Sequence, residues 1–149
     1  MNDTSSIKLT GCLDIVLTDA LGNIKEKRHV PNTVVTGGKE LIAERLVTQS
    51  ISIGHMTHMA LGSSNSSPAN AGAVDIVLVG TRQTLTPSRS GAIITYQCTF
   101  GPTVSTGTIQ EAGIFNAATG GTMLCRTVFG TITKGASDTL AISWTVTIN

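Results

Sequence analysis

Charge is scarce in this sequence. Asp, Glu, Lys and Arg make up 13% of it, about half the share of an ordinary soluble domain. A net charge of +1 argues against the broad basic face that nucleic-acid binders carry. The densest basic run, Lys25-Glu26-Lys27-Arg28-His29, reads as the exposed face of a hairpin strand. Aromatics amount to 3%, too few for base-stacking platforms or a sugar-stacking groove. No apolar run is long enough for a transmembrane helix, so no membrane partner is expected. The opening "MNDTSSIKLTG" has neither a basic region nor an apolar core, so no signal peptide is expected and synthesis is assigned to the cytoplasm. The cysteines, Cys12, Cys98 and Cys125, are far apart and form no CxxC pair, which removes local zinc and redox motifs. They read as small core residues, with an intersubunit disulfide formed in an oxidising medium as the alternative.

What is present favours strands. Hydrophobic residues reach 40% of the chain, enough for one packed domain, and Thr, Val and Ile are abundant. Leu9, Gly11, Leu13, Ile15 and Leu17 alternate with mainly polar residues, "DALGN" makes a turn, and Ile24 to Val30 pairs back until Pro31 ends the hairpin. "TGGKELIAERLVTQS" predicts one helix over about 37–49, with Thr36 as N-cap and Leu41, Ile42, Leu46 and Val47 as its apolar stripe. His55 to Leu61 predicts a short strand, and residues 62–73 an exposed, mobile small-residue loop. Ile94, Tyr96, Cys98 and Phe100 share one parity, Ile109 to Phe115 and Met123 to Ile132 flank the "NAATGG" turn, and Leu140, Ile142, Trp144, Val146 and Ile148 face inward on the last strand. The expected fold is mainly β: a single antiparallel sandwich or barrel over residues 7–149, about seven or eight strands plus the helix, with residues 1–6 as a flexible arm.

Little in the chain spells chemistry. "TGGK" lacks the GxxxxGK[ST] spacing that wraps phosphates, and Glu40 stands where the metal-binding hydroxyl belongs. His55 and His58 point oppositely on a strand and have no third ligand nearby. No GxSxG elbow occurs, and no two acids are spaced for glycosidic chemistry. The one arresting acid is Glu111, inside the apolar strand "IQEAGIF". A buried carboxylate is costly unless it is paired, so Glu111 is expected to accept backbone hydrogen bonds or to pair with Arg82 or Arg126 as a structural anchor. A catalytic acid is the competing reading. Gly113 fits a bulge or a close backbone approach. No enzyme, cofactor or metal site is expected.

One segment order carries a resemblance. "HMALGSS", "SPANAG" and "TRQTL" precede "GTIQEAGIFNAATGGTMLCRTVFG". The layout resembles tailed-bacteriophage virion proteins: small structural proteins encoded among tail and tail-fibre genes, and the particle-attaching N-terminal domains of some tail fibres. The matching positions are Met59, Ala60, Gly62, Pro68, Ala69, Arg82, Ile109, Glu111, Gly113, Ile114 and Phe115, within a similarity spanning about residues 30–149. A fibre's attachment domain is normally followed by a long stalk and tip, which this sequence does not contain, so receptor binding by a tip is not expected. The resemblance implies a non-enzymatic subunit of a tailed phage particle, in the tail, neck or baseplate region, that attaches or organises fibres. A capsid decoration protein is the alternative, and a host-surface binding module a further one. Implied partners are other virion proteins and copies of the chain itself, with threefold symmetry expected.

Overall fold

The computed structural model describes residues 6–47, 54–67 and 70–149. Among these, the chain runs through β1 (Leu9–Thr18), β2 (Ile24–Pro31), β3 (Thr33–Val34), α1 (Thr36–Val47), β4 (His58–Gly62), β5 (Gln83–Thr84), β6 (Thr86–Ser90), β7 (Ile93–Phe100), β8 (Gly107–Phe115), β9 (Met123–Lys134) and β10 (Thr139–Ile148). The strands form two five-stranded antiparallel sheets, ordered β2-β1-β10-β7-β6 and β3-β9-β8-β4-β5. Their inner faces share one core, in which Leu13, Ile15 and Trp144 of the first sheet meet Met59, Ile109 and Ile114 of the second. This is the layered arrangement of a β-sandwich.

Alternation of apolar residues builds the first sheet. Leu13, Ile15 and Leu17 of β1 stand opposite Trp144, Ile142 and Leu140 of β10, and all six are buried. The β1–β2 turn is set by Asp19, whose carboxylate accepts the Leu21 and Asn23 amides at 2.9 Å each, with Gly22 at φ 83°. Those amides hold the Asp19 carboxyl below its ordinary value, the backbone bond from Asn23 most of all. After Pro31 the chain crosses to the second sheet. There the Asn32 amide donates to the Gly11 carbonyl at 3.1 Å, and the Thr127 hydroxyl donates to the Pro31 carbonyl at 2.8 Å.

Several expectations need correction. The strand count exceeds seven or eight because β3, β5 and β6 are added. β3 and β5 are two residues each, too short to show a period. β6, "TPSRS", is wholly exposed and carries Pro87 at the sheet's edge, where a residue without an N–H is tolerated. The short strand predicted over His55 to Leu61 is β4, shifted to His58–Gly62.

The helix spans Thr36–Val47, and Thr48 and Gln49 lie outside the described residues. Thr36 is a helical residue rather than the cap: the Val35 carbonyl accepts the Lys39 amide at 3.1 Å, which puts Val35 at the N-cap position. Only Leu41, and in part Ile42, face the core, whereas Leu46 and Val47 are exposed. The reason is where the helix touches the sheet. Gly38 lies so close to the β9 backbone that a Cβ there would come within 2.9 Å of Leu124 Cα, so the helix rests on its N-terminal half. Ile148, expected inward, is exposed at the end of β10.

Candidate functional site

The second sheet is covered on both faces, and the covering of its outer face begins with a register slip in β8. Ile109, Ala112 and Ile114 all point into the sandwich core. Strict alternation cannot put 109 and 112 on one side. Pairing with β9 shifts between Ile109 and Glu111, and this irregularity turns the alternation over. Glu111, Gly113 and Phe115 are thereby sent to the outer face. There they meet Ala60 and Gly62 of β4 and Arg126 of β9, whose register partners are Gly113, Glu111 and Gly113 respectively.

Glu111 is 0% exposed. Its Oε1 accepts the Val77 amide at 2.7 Å and the Ser64 amide at 3.3 Å. Arg126 Nε donates to Oε2 at 2.8 Å, and Arg126 Nη2 lies 2.8 Å from the same oxygen. A carboxylate offers about four acceptor positions, and here four N–H groups face them. Arg126 also donates from Nη1 to the Ser67 carbonyl at 3.0 Å and from Nη2 to the Ser66 carbonyl at 3.1 Å. The pair thus ties both sides of the 63–77 segment to the sheet, through amides on one residue and carbonyls on the other.

Gly62 makes room for this carboxylate. A Cβ on Gly62 would stand 2.5 Å from Glu111 Oε1, well inside van der Waals contact. Gly113 has a related role, because a Cβ there would press on the Phe115 ring at 3.0 Å and the Met123 sulfur at 3.2 Å. Phe115 and Met123 pack with Val35 and Ala60 in a second small core on this outer face.

Arg82 does not reach Glu111. Its guanidinium lies 3.5 Å from the centroid of the Phe115 ring, a cation–π contact. From Nη1 it donates to the carbonyls of Ala117 at 2.9 Å and Gly120 at 2.8 Å, closing the β8–β9 turn. Its Nη2 lies 3.4 Å from Asp75. The two arginines proposed as alternatives therefore do different jobs: Arg126 neutralises Glu111, and Arg82 pins the neighbouring turn.

The loop expected over 62–73 is revised accordingly. Gly62 is buried in β4, Asn65 to Ser67 are exposed, and Pro68 and Ala69 lie outside the described residues. Beneath this segment a polar cavity of about 420 Å3 is lined by Ser64, Asn70, Asp75, Glu111 and Arg126 among others. Of the predicted arm, residues 1–5 likewise fall outside the described residues.

A second ionic cluster escaped the sequence reading. Lys134 is buried and donates to the Gly101 carbonyl at 2.8 Å. Burial holds its ammonium below its ordinary pKa, an effect partly offset by Asp138. Asp138 accepts Lys25 Nζ and the Gly135 amide at 2.7 Å each. These bonds, Lys25's first, keep its carboxyl below the ordinary value. The available signal was parity, since Lys134 follows buried Ile132 by two.

Of the cysteines, Cys98 and Cys125 are buried, and Cys12 is half-buried on β1. Burial pushes the Cys98 thiol up to about 12 and the Cys125 thiol well above its ordinary value. That leaves Cys12 as the thiol nearest solvent. His55 precedes β4 and His58 begins it, its Nδ1 2.8 Å from the Thr57 hydroxyl. Among the described residues no three His, Cys, Asp or Glu side chains converge, and no helix is long and apolar enough to cross a membrane.

No protein-family profile matches this chain, and neither curated proteins nor solved structures give a match.

Proposed function

We propose that this protein is a non-enzymatic structural subunit of a tailed phage particle, in the tail, neck or baseplate region, where it attaches or organises fibres through protein–protein contacts. One observation carries the reading. The residues behind the resemblance, about fifty positions apart in sequence, are register partners: Met59 with Ile114, Ala60 with Gly113, Gly62 with Glu111. The layout is thus a packed scaffold unit, and its one acid has its acceptor positions taken by Arg126 and two amides. A general acid or base needs a free position within hydrogen-bond reach of substrate; a clamp does not. The scarcity of charge, at 13% of residues, also suits a surface covered by neighbouring subunits rather than solvated alone.

The test is to quantify this chain in purified particles and locate it by cryo-electron microscopy. A copy number matching the tail's symmetry, with density at the tail, neck or baseplate, supports the proposal. A copy number matching the capsid lattice makes the subunit a decoration protein instead. Absence from the particle overturns both readings.

A further inference from the structure

A groove of about 620 Å3 opens between α1 and the paired ends of β1 and β10, lined by Ile7, Leu9, Ile42, Leu46 and Ile148 together with Lys8 and Lys39. Its aliphatic walls are strongly solvated: Ile7 is 76% and Leu46 80% exposed. Clustered exposed apolar side chains of this kind mark contact sites. Among the described residues no acid lines the groove, and neither lysine side chain has an ion-pair partner. A twofold contact of this groove with itself would set the lysines of one copy against those of the other, and like charges repel. The occupant that fits is an apolar segment bearing a carboxylate.

The chain displays such a segment on the far side of its second sheet. Across Val74-Asp75-Ile76-Val77-Leu78, Ile76 packs inward while Val74, Val77 and Leu78 are exposed, Val74 to 78%. The Asp75 side chain is 64% exposed. Its Oδ1 is engaged by the Ile76 amide at 2.8 Å and approached by Arg82 at 3.4 Å, while Oδ2 has no partner among the described residues. The backbone is held firmly: Val77 N donates to Glu111 at 2.7 Å, Ser63 N to the Val77 carbonyl at 2.9 Å, and Val79 N to the Leu61 carbonyl at 2.9 Å. A pre-ordered segment loses little conformational freedom on docking.

We propose that the Val74–Leu78 segment of one copy docks in the α1–β1–β10 groove of the next, with Asp75 seated by Lys8 and Lys39. The two surfaces differ, so two copies either dock reciprocally about a twofold axis or repeat the contact head-to-tail into a closed ring or an open array. The proposal holds whether or not the chain belongs to a virion. Glu111 enters it as the group that fixes the presenting backbone.

The test begins with sedimentation velocity over a concentration series, in which the wild-type chain is expected to self-associate. In a Cys12→Ser background, Leu46→Cys and Val74→Cys chains are then mixed under mild oxidation. The expected product is a disulfide-linked heterodimer formed only in the mixture. The double variant Lys8→Glu/Lys39→Glu and the single variant Asp75→Lys should each sediment as monomers, and their combination in one chain should restore association. A wild-type chain that stays monomeric throughout overturns the proposal. So do Leu46→Cys homodimers, which would mean that groove meets groove, and so does association that the charge variants leave unchanged.

Discussion

Glu111 and Arg126 sit on neighbouring strands with 2.8 Å between Oε2 and Nε. They are diagonal partners, since Gly113 rather than Glu111 stands opposite Arg126, and only long side chains close such a gap. Neither charge is left over: the carboxylate takes two amides of the covering segment, and the guanidinium takes two of its carbonyls. A buried ion pair is stabilising only where the remaining donors and acceptors are satisfied, and here they are satisfied by the backbone that the pair holds down.

Gly62→Ala tests the space this arrangement needs. The added methyl would lie 2.5 Å from Glu111 Oε1, so the carboxylate must move off the Ser64 and Val77 amides. A loss of about 2 kcal/mol is expected from stranding buried donors, read as a lower urea midpoint. Gly91→Ala is the contrasting control, because a Cβ there meets nothing within 4 Å and its φ of 57° is the sole source of strain.

Arg82→Lys keeps the charge and removes the planar fork. Two carbonyl contacts, to Ala117 and Gly120, and the face-on contact with Phe115 depend on that shape. The expected cost is about 1–2 kcal/mol, with faster amide exchange in the Asn116–Thr122 turn. An unchanged turn would show that the guanidinium does not hold it.

Thiol reactivity should separate the cysteines. Native protein with a thiol reagent at mildly alkaline pH is expected to label Cys12 alone, because burial pushes the Cys98 thiol to about 12 and raises the Cys125 thiol well above its ordinary value. Unfolding should expose all three. Rapid native labelling of Cys125 would contradict its burial in the core.

Acid should weaken the fold partly through Asp138. Its folded pKa is depressed below the ordinary 3.8 by the Lys25 hydrogen bond first and the Gly135 amide next. A depressed carboxyl contributes stability above its unfolded pKa and loses it as pH falls through the folded one. Urea midpoints should therefore drop below about pH 4, and Asp138→Asn should be less stable near neutrality and show a shallower acid slope. A parallel slope in the variant would assign the acid sensitivity elsewhere.

The legible parts of this fold were those where one face is apolar and the other wet. Leu13, Ile15 and Leu17, or Leu140, Ile142 and Trp144, can be oriented from period alone. Glu111 was legible as buried because an acid in an apolar strand has few other solutions. Its partner was not, because the choice between Arg82 and Arg126 turns on the register slip beside Gln110, and a slip is set by pairing across the sheet. β6 was silent for the opposite reason: all five residues are exposed, so its strand state rests on backbone bonds to β7. Leu46 and Val47 read as a core stripe because periodicity records which side chains are apolar, not how far a helix stays in contact with its sheet.

The central claim, that Glu111 anchors the covering segment, is tested most directly by amide exchange on Glu111→Gln. The neutral side chain leaves Arg126 uncompensated and weakens the grip on the Ser64 and Val77 amides, at an expected cost of about 3 kcal/mol. The account predicts much faster exchange at Ser64 and Val77, with the amides of β1 and β10 slow relative to them. Exchange at those two amides as slow as in the wild type would contradict it.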